Sequence, residues 1–276
     1  GVPIEHVTIH HGDTAVVKQG VGTFGSRSQA VGGAALHLAG GKVKAKMAKF
    51  AAALLEANED DLVFENGRIF VKGSPASGKS IAEVAAFAYI PVPLPAGMEP
   101  GLSEEGFFEP SNNTYPFGCH ITMLEIDRDT GEPRLLRMVA SDDAGNLINP
   151  MIVEGQIHGG MIEAFAMANM QFITYDKDGN CIGANYMDYL LPTAWEAPHM
   201  ELFEVVTPSP HHPIGCKGIG ESTCVGGPAA FVNAVIDAVE HLGVRNIDMP
   251  CLSGRVWEAI HYRKDVSGYP PLPGQD

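Results

Sequence analysis

The chain has 276 residues, with 18 lysines and arginines against 33 aspartates and glutamates, and its formal net charge of −15 excludes an unaided nucleic-acid binder, because a polyanion requires a basic face. An apolar fraction of 45%, a charged fraction of 18% and no run of eighteen apolar residues exclude a disordered chain and predict a soluble globular one without a membrane span, long enough for one large domain or two. The five cysteines (Cys119, Cys181, Cys216, Cys224, Cys251) are an odd count without a CxxC pair, which argues against a disulfide framework or a cysteine-rich zinc site and fits a reducing, cytoplasmic setting.

The first residues show neither an initiator Met nor a charged and then apolar leader, so the chain reads as a processed subunit or a piece of a longer polypeptide. Residues 1–9 alternate like a strand. Between Asp13 and Glu56 no acid occurs, whereas Lys18, Arg27, Lys42, Lys44, Lys46 and Lys49 do, so this stretch carries +6 and the remainder −21. Such an island predicts a bound anion, of which phosphate on a small cofactor is a common case. For Lys42, Lys44, Lys46 and Lys49 the alternative is a solvated helix face.

Within the island, Gly20, Gly22 and Gly25 satisfy GxGxxG, but no acid follows about twenty residues later to hold a ribose, which rejects a Rossmann dinucleotide site. Glycines still let backbone approach a ligand, and Ser26, Ser28, Arg27 and the N–H groups of a helix start suit anionic oxygens. A small-residue run over residues 30–35 leads into a helix predicted to about Glu56.

A hairpin follows, residues 62–65 and 68–71 around Asn66-Gly67, the strongest short hairpin signal. Next, Gly73-Ser74-Pro75-Ala76-Ser77-Gly78-Lys79-Ser80 fits the phosphate loop GxxxxGK[ST] ahead of a short helix over 81–87, so a nucleotide hydrolase is the alternative reading. Such a loop normally follows a buried parallel strand rather than a hairpin arm. The chain then runs Pro91-Val92-Pro93-Leu94-Pro95, an extended linker rather than the next strand of a βαβ unit. A surface loop is therefore favoured over residues 73–80.

Residues 118–127 and 135–140 form a second predicted hairpin, Asn149-Pro150 opens a helix over 151–170, and residues 171–175 and 182–187 a third hairpin. The acids between those last two arms lack a calcium loop's register and closing Glu, so a plain turn is expected. A strand over 201–206, a helix from about Pro228 to Leu242 and a short helix after Ser253 complete an α+β chain without internal repeats. The boundary between two portions is placed at 112/113. The Asn112-Asn113-Thr114 sequon has no secretory context and carries no weight.

The stretch Gly215-Cys216-Lys217-Gly218-Ile219-Gly220-Glu221-Ser222-Thr223-Cys224-Val225-Gly226-Gly227-Pro228 surrounds one carboxylate with five glycines. Glycines let a bulky group approach Glu221, and a carboxylate shielded from water suits general-base work. Equally, Glu221 and Ser222 suit the cap of the following helix. A GxSxG elbow fails at its closing position, Cys224, which argues against serine hydrolysis. His10-His11 and His211-His212 lack a metal-ligand spacing and read as turn or packing residues. The Gln156 amide, on a Gly-interrupted helix, can donate and accept at once beside a polar cofactor, or be an ordinary surface residue.

Taken together and in order, Gly22-Thr23-Phe24-Gly25-Ser26-Arg27-Ser28, Asn149-Pro150-Met151-Ile152-Val153-Glu154-Gly155-Gln156-Ile157-His158-Gly159-Gly160 and Lys217-Gly218-Ile219-Gly220-Glu221-Ser222 resemble the molybdenum-binding large subunit of the xanthine oxidase family. The resemblance is nearer to the bacterial branch of carbon monoxide, aldehyde and N-heterocycle dehydrogenases, and extends to Met187-Asp188-Tyr189-Leu190-Leu191-Pro192-Thr193 and Asp248-Met249-Pro250. It implies that residues 1–112 and 113–276 are two subdomains of a cofactor-binding domain, corresponding to the C-terminal part of that subunit. It further implies that Thr23, Gly25, Ser26, Arg27, Ser28, Gln29, Gln156 and Gly220 contact a molybdopterin cytosine dinucleotide, and that Glu221 is the general base. Molybdenum would be held through the pterin near Gln156 and Glu221, with no direct protein ligand. Electrons from a small-molecule substrate would leave for iron–sulfur clusters and FAD on partner chains. The rest of the molybdenum-binding subunit would be a further partner, with activity only in the company of the partner chains; a further alternative is an isolated structural fragment with no activity alone. His211, His212, Cys216, Thr223 and Cys224 depart from the family pattern; they either shape the pocket or mark a divergent substrate.

Overall fold

The computed structural model describes residues 1–90, 93–94 and 97–268. Pro91, Val92 and Pro95 of the predicted linker lie outside them. The fold is α+β, with two three-stranded sheets among the described residues. The chain divides into two compact units, Gly1–Thr23 with Val31–Pro110 and Phe24–Ala30 with Ser111–Asp276.

In the first unit, helix α1 (Ala34–Leu55), preceded by a π-helical turn over Ser28–Gly33, packs with strands β1 (Leu62–Glu65), β2 (Arg68–Val71) and β3 (Ser74–Ser80) and helix α2 (Ile81–Tyr89). Asn66 and Gly67 have φ of 48° and 73°, so the β1–β2 turn has two left-handed residues, the geometry that matches strand twist. Phe50, Ala51, Ile69, Val84 and Ala88 are fully buried, and Phe50 meets Phe87 edge-on at 6.1 Å.

Residues 73–80 are no phosphate loop. Strand β3 pairs antiparallel with β2, Lys79 opposite Ile69 and Ser80 opposite Arg68. Gly78 lies against the strand, where an added Cβ would come within 2.7 Å of the Phe70 side chain. Ser80 caps α2 in a reciprocal box: its hydroxyl accepts from the Glu83 N–H, and the Glu83 carboxylate accepts from the Ser80 N–H. The nucleotide-hydrolase reading fails because the backbone donors that would cradle phosphate are committed to a ladder and a cap. The strand predicted over residues 1–9 is also absent. A short 3-10 turn, Ile4–His6, interrupts an exposed stretch in which Ile4, Val7 and Ile9 face solvent, and alternation without a pairing neighbour does not make a strand.

In the second unit, β4 (Phe117–Ile126) and β5 (Pro133–Asp143) form the predicted hairpin, three residues longer than expected at its end. Strand β6 (Met200–Glu204) joins β5 in parallel rather than antiparallel fashion, which the long intervening connection through helix α3 (Pro150–Asn169) allows. Helix α3 starts as read: Asn149 Oδ1 accepts from the Ile152 N–H at 3.3 Å and Pro150 occupies the first turn. Residues 171–187 contract to one bridge, Tyr175 opposite Cys181, around a turn closed by the Asp176 carboxylate.

Helix α4 (Ser222–Val239) begins six residues before the predicted start and carries Pro228 inside it, at the cost of one backbone hydrogen bond. Its span to Leu242 matches a membrane crossing in length and apolar composition, yet Phe231, Val235 and Val239 are buried in the core with Met138 of β5, Met161 and Phe165 of α3, and Val256 of helix α5 (Ser253–Tyr262). Phe165 and Phe231 meet edge-on at 5.3 Å.

Candidate cofactor site and its carboxylate

Segment Phe24–Ala30, which is distant in sequence from the rest of the second unit, is compact with it. Gly25 and Ser26 both adopt left-handed backbone, φ 58° and 55°. For a serine that conformation costs about 1–2 kcal/mol, and a residue held in it is a marker of functional constraint. Here the constraint is visible. The Ser26 hydroxyl donates to Glu221 Oε2 at 2.8 Å and accepts from the Glu221 N–H at 3.0 Å, so one side chain holds both the carboxylate and the backbone of residue 221.

Two glycines make this approach possible. A Cβ on Gly218 would collide with the Ser26 carbonyl oxygen. One on Gly220 would lie 3.0 Å from Gln156 Oε1 and 3.2 Å from Ser26 Oγ. Ser26, Gln156, Gly220 and Glu221, from three separate segments, therefore converge. Beside them Arg27 sits over the Phe24 ring at 5.2 Å, and Ser28 and Gln29 are exposed. Thr23 belongs to the first unit.

The remaining glycines of the stretch serve packing instead of ligand approach. Gly226 and Gly227 lie in α4, where added Cβ atoms would come within 2.8 Å of His120 Nδ1 and 2.5 Å of Ala164 Cβ. Glu221 occupies the N-cap position of α4, but its side chain makes no capping bond. It is exposed, so the described residues do not supply the shielding expected of a general base.

The basic island divides between the two units. Phe24–Ala30 lies with the second unit, whereas the lysines of α1 lie with the first, where Lys18 pairs with Glu105, Lys42 donates to the Glu105 carbonyl at 2.7 Å and Lys46 pairs with Glu104 at 3.4 Å. Two of the six cations thus have carboxylate partners in the first unit, and Lys42, Lys44 and Lys49 are exposed, which favours a solvated helix face for the lysines of α1. Lys42, Lys46 and Lys49 do line a cleft of about 340 Å³ with Glu99 and Glu104.

His211 hydrogen-bonds Ser111 at 3.2 Å and the buried His212 reaches the Cys216 carbonyl at 2.7 Å, both packing roles. Burial pushes the Cys216 and Cys224 thiols up, away from nucleophilic use. Sequence reasoning missed His120, Asp142 and Asp143, buried polar residues directly behind the Glu221 loop. The signal was present as two acids closing the apolar strand β5.

Among the described residues no group of three or more His, Cys, Asp or Glu side chains is placed to hold a metal ion. The donor set suits a polar, planar organic group. Gln156 offers an amide donor and acceptor, while the Ser26 hydroxyl is already engaged with Glu221. Gly155 and Gly159 flank Gln156 on α3 with nothing within 4 Å of where a Cβ would lie, and the same is true of Gly25. Each of these glycines leaves open space that a larger residue would fill.

A family profile described as "Molybdopterin cofactor-binding domain" matches residues 1–198. The chain belongs to the molybdopterin cofactor-binding domain family. The carbon monoxide dehydrogenase large chain of Hydrogenophaga pseudoflava is 49% identical over 260 residues, 94% of this chain and 32% of that protein. The nicotine 6-hydroxylase large subunit of Paenarthrobacter nicotinovorans is 34% identical over 269 residues, covering 97% and 33%. Among solved structures, Cu,Mo-CO dehydrogenase in its carbon monoxide reduced state matches with a TM-score of 0.84 at 46% identity, over 95% of this chain and 33% of that one. Quinoline 2-oxidoreductase from Pseudomonas putida 86 matches with a TM-score of 0.78 at 37% identity, over 87% and 30%. The chain thus spans about a third of the length of these relatives.

Proposed function

We propose that this chain is the C-terminal cofactor-binding part of a molybdenum hydroxylase that oxidises a small aldehyde, N-heterocycle or similar substrate. The observation that carries the reading is the convergence of Ser26, Gln156 and Glu221 from three sequence segments onto one glycine-lined face. When bound, a molybdopterin cytosine dinucleotide would supply oxidation of a substrate carbon with water-derived oxygen and an exit for two electrons to iron–sulfur and FAD partner chains.

The chain's own residues do the rest. Gln156 offers its amide to the pterin, and the segment Gly25, Ser26, Arg27, Ser28 and Gln29, with Thr23, presents hydroxyl, amide and guanidinium donors to the cofactor's anionic groups. Glu221 takes the proton released as oxygen is transferred. Its Oε2 accepts from the Ser26 hydroxyl, a contact that orients the carboxylate for that role. The exposure of Glu221 and of Ile4, Val7, Ile9, Val16, Val17 and Val21 calls for cover by the remaining part of the molybdenum-binding subunit, which would shield the carboxylate and bury those side chains. Residues 1–112 and 113–276 act as two subdomains of the domain, in a cytoplasmic heteromeric enzyme.

Purified with its natural partners, the assembly should contain molybdenum and cytidine nucleotide in near-equal amounts. Glu221→Gln should keep both while turnover falls by about 10²–10⁴-fold, the range lost with a general base. An assembly lacking both, or a variant with unchanged turnover, would refute the reading.

A further inference from the structure

The stretch that carries Glu221 is fastened at both ends by two consecutive carboxylates. Asp142 and Asp143 end β5, and successive strand residues face opposite sides. On one side Ser222 Oγ donates to Asp142 Oδ1 at 2.8 Å, and His120 Nε2, from β4, lies 3.3 and 3.2 Å from the two oxygens of the same carboxylate. The His120 and Asp142 side chains are only 5% and 1% exposed. The space is fitted to them: a Cβ on Gly118 would collide with Asp142 Oδ1. On the other side the fully buried Asp143 accepts from the Gly145 N–H at 2.7 Å, from the Thr207 N–H at 3.1 Å and from the Thr207 hydroxyl. Asp143 also pairs with Lys217 Nζ at 3.2 Å, and Lys217 donates in addition to Thr207 Oγ1 at 2.7 Å.

A Ser, Asp and His set invites comparison with a nucleophile triad. The order in space is wrong for one: the carboxylate, not the imidazole, receives the serine hydroxyl, so Ser222 is tethered rather than activated. Burying two acids side by side is unfavourable unless each is fully bonded. Among the bonds that compensate them, one comes from Lys217 and one from Ser222, which bracket Gly218, Ile219, Gly220 and Glu221. Those four belong to no helix or strand, and two are glycines.

We propose that Asp142 and Asp143 are positioning residues that clamp both ends of this loop and thereby hold the Glu221 carboxylate in its working direction. The catalytic consequence rests on Glu221 acting as the proton acceptor; the clamp itself does not. In the assembled enzyme, Ser222→Ala removes one tether while leaving Asp142 paired with His120, and Ser222→Thr keeps the hydroxyl. Hydrogen–deuterium exchange of the amides of residues 218–222 should quicken about tenfold or more in Ser222→Ala, the fold-change for losing a bond to a charged group. Molybdenum content and exchange elsewhere should stay at the wild-type level. The kcat should fall about 10- to 100-fold at similar KM, as expected for a displaced catalytic group. Ser222→Thr should restore both readouts. Asp142→Asn, with one acceptor oxygen left for Ser222, should quicken exchange less than Ser222→Ala. Wild-type exchange at 218–222 in Ser222→Ala would overturn the proposal, and so would faster exchange spread through the whole second unit. Normal turnover in Glu221→Gln would remove the base reading, while the exchange result would still judge the clamp.

Discussion

Ser26→Ala is the most direct test of the geometry around Glu221. The substitution deletes a single oxygen that donates to the carboxylate at 2.8 Å and accepts from the Glu221 N–H at 3.0 Å. A bond to a charged group is worth about 1.5–3 kcal/mol and a neutral one about 0.5–1.5. Glu221 is exposed, however, and water replaces much of what is lost, so the net cost to stability is about 1 kcal/mol. For a unit of this size that lowers Tm by roughly 2–4 °C. The effect on chemistry should be larger. Without the hydroxyl the carboxylate rotates freely about its side chain, and a base displaced by about 1 Å loses up to about 100-fold in rate. Calorimetry on the assembled enzyme with steady-state kinetics and metal analysis separates the two: a small Tm shift, full cofactor content and kcat reduced 10- to 100-fold. A kcat within twofold of wild type at full cofactor content would refute the idea that Ser26 aims Glu221.

Other expectations follow from the same contacts. Gly160→Ala should destabilise by about 1–3 kcal/mol in urea unfolding, because its Cβ would collide with the buried Thr223 hydroxyl. Gly155→Ala, with open space, should instead stabilise α3 by up to about 1 kcal/mol while lowering cofactor content, since the added methyl occupies the space beside Gln156. Lys79→Ala should leave cofactor content unchanged and stability within about 0.5 kcal/mol, since the Lys79 ammonium makes an exposed ion pair with Glu83. Burial pushes the Asp143 carboxyl up, but hydrogen bonds from the Thr207 hydroxyl, the Gly145 and Thr207 amides and the Lys217 ammonium outweigh it and hold the group below its ordinary value. A depressed folded value gives a contribution that is complete above the unfolded value of about 3.9 and lost as pH falls through the folded one. The protection factors of residues 217–222, exchange rates taken relative to the intrinsic rate at each pH, should therefore be flat from about pH 5 to 8 and fall below about pH 4.

Several elements were legible because their signals are local. Asn66-Gly67 permits two left-handed residues in succession, and that alone closes the β1–β2 hairpin. Asn149-Pro150 combines a side-chain acceptor with a residue that needs no N–H, so the start of α3 could be read directly. The start of α4 could not. Pro228 resembles a first-turn residue, and only packing of Gly226 against His120 and of Gly227 against Ala164 shows that the helix has already run six residues. Likewise the motif at residues 73–80 satisfies a phosphate-loop pattern, yet ladder pairing with β2 decides its conformation, and that pairing depends on residues outside the motif.

By itself the sequence determined the α+β class, the first two hairpins and the long first helix, because periodicity and turn chemistry are properties of neighbours along the chain. Tertiary structure alone decided which of the candidate site residues meet. It brought Ser26 to Glu221, assigned the island's lysines and its glycine-serine segment to different units, and placed Asp142 and Asp143 behind the loop. Contacts across some two hundred residues depend on how helices and strands pack, and on which glycines leave room for a neighbour's backbone, quantities that no local pattern encodes.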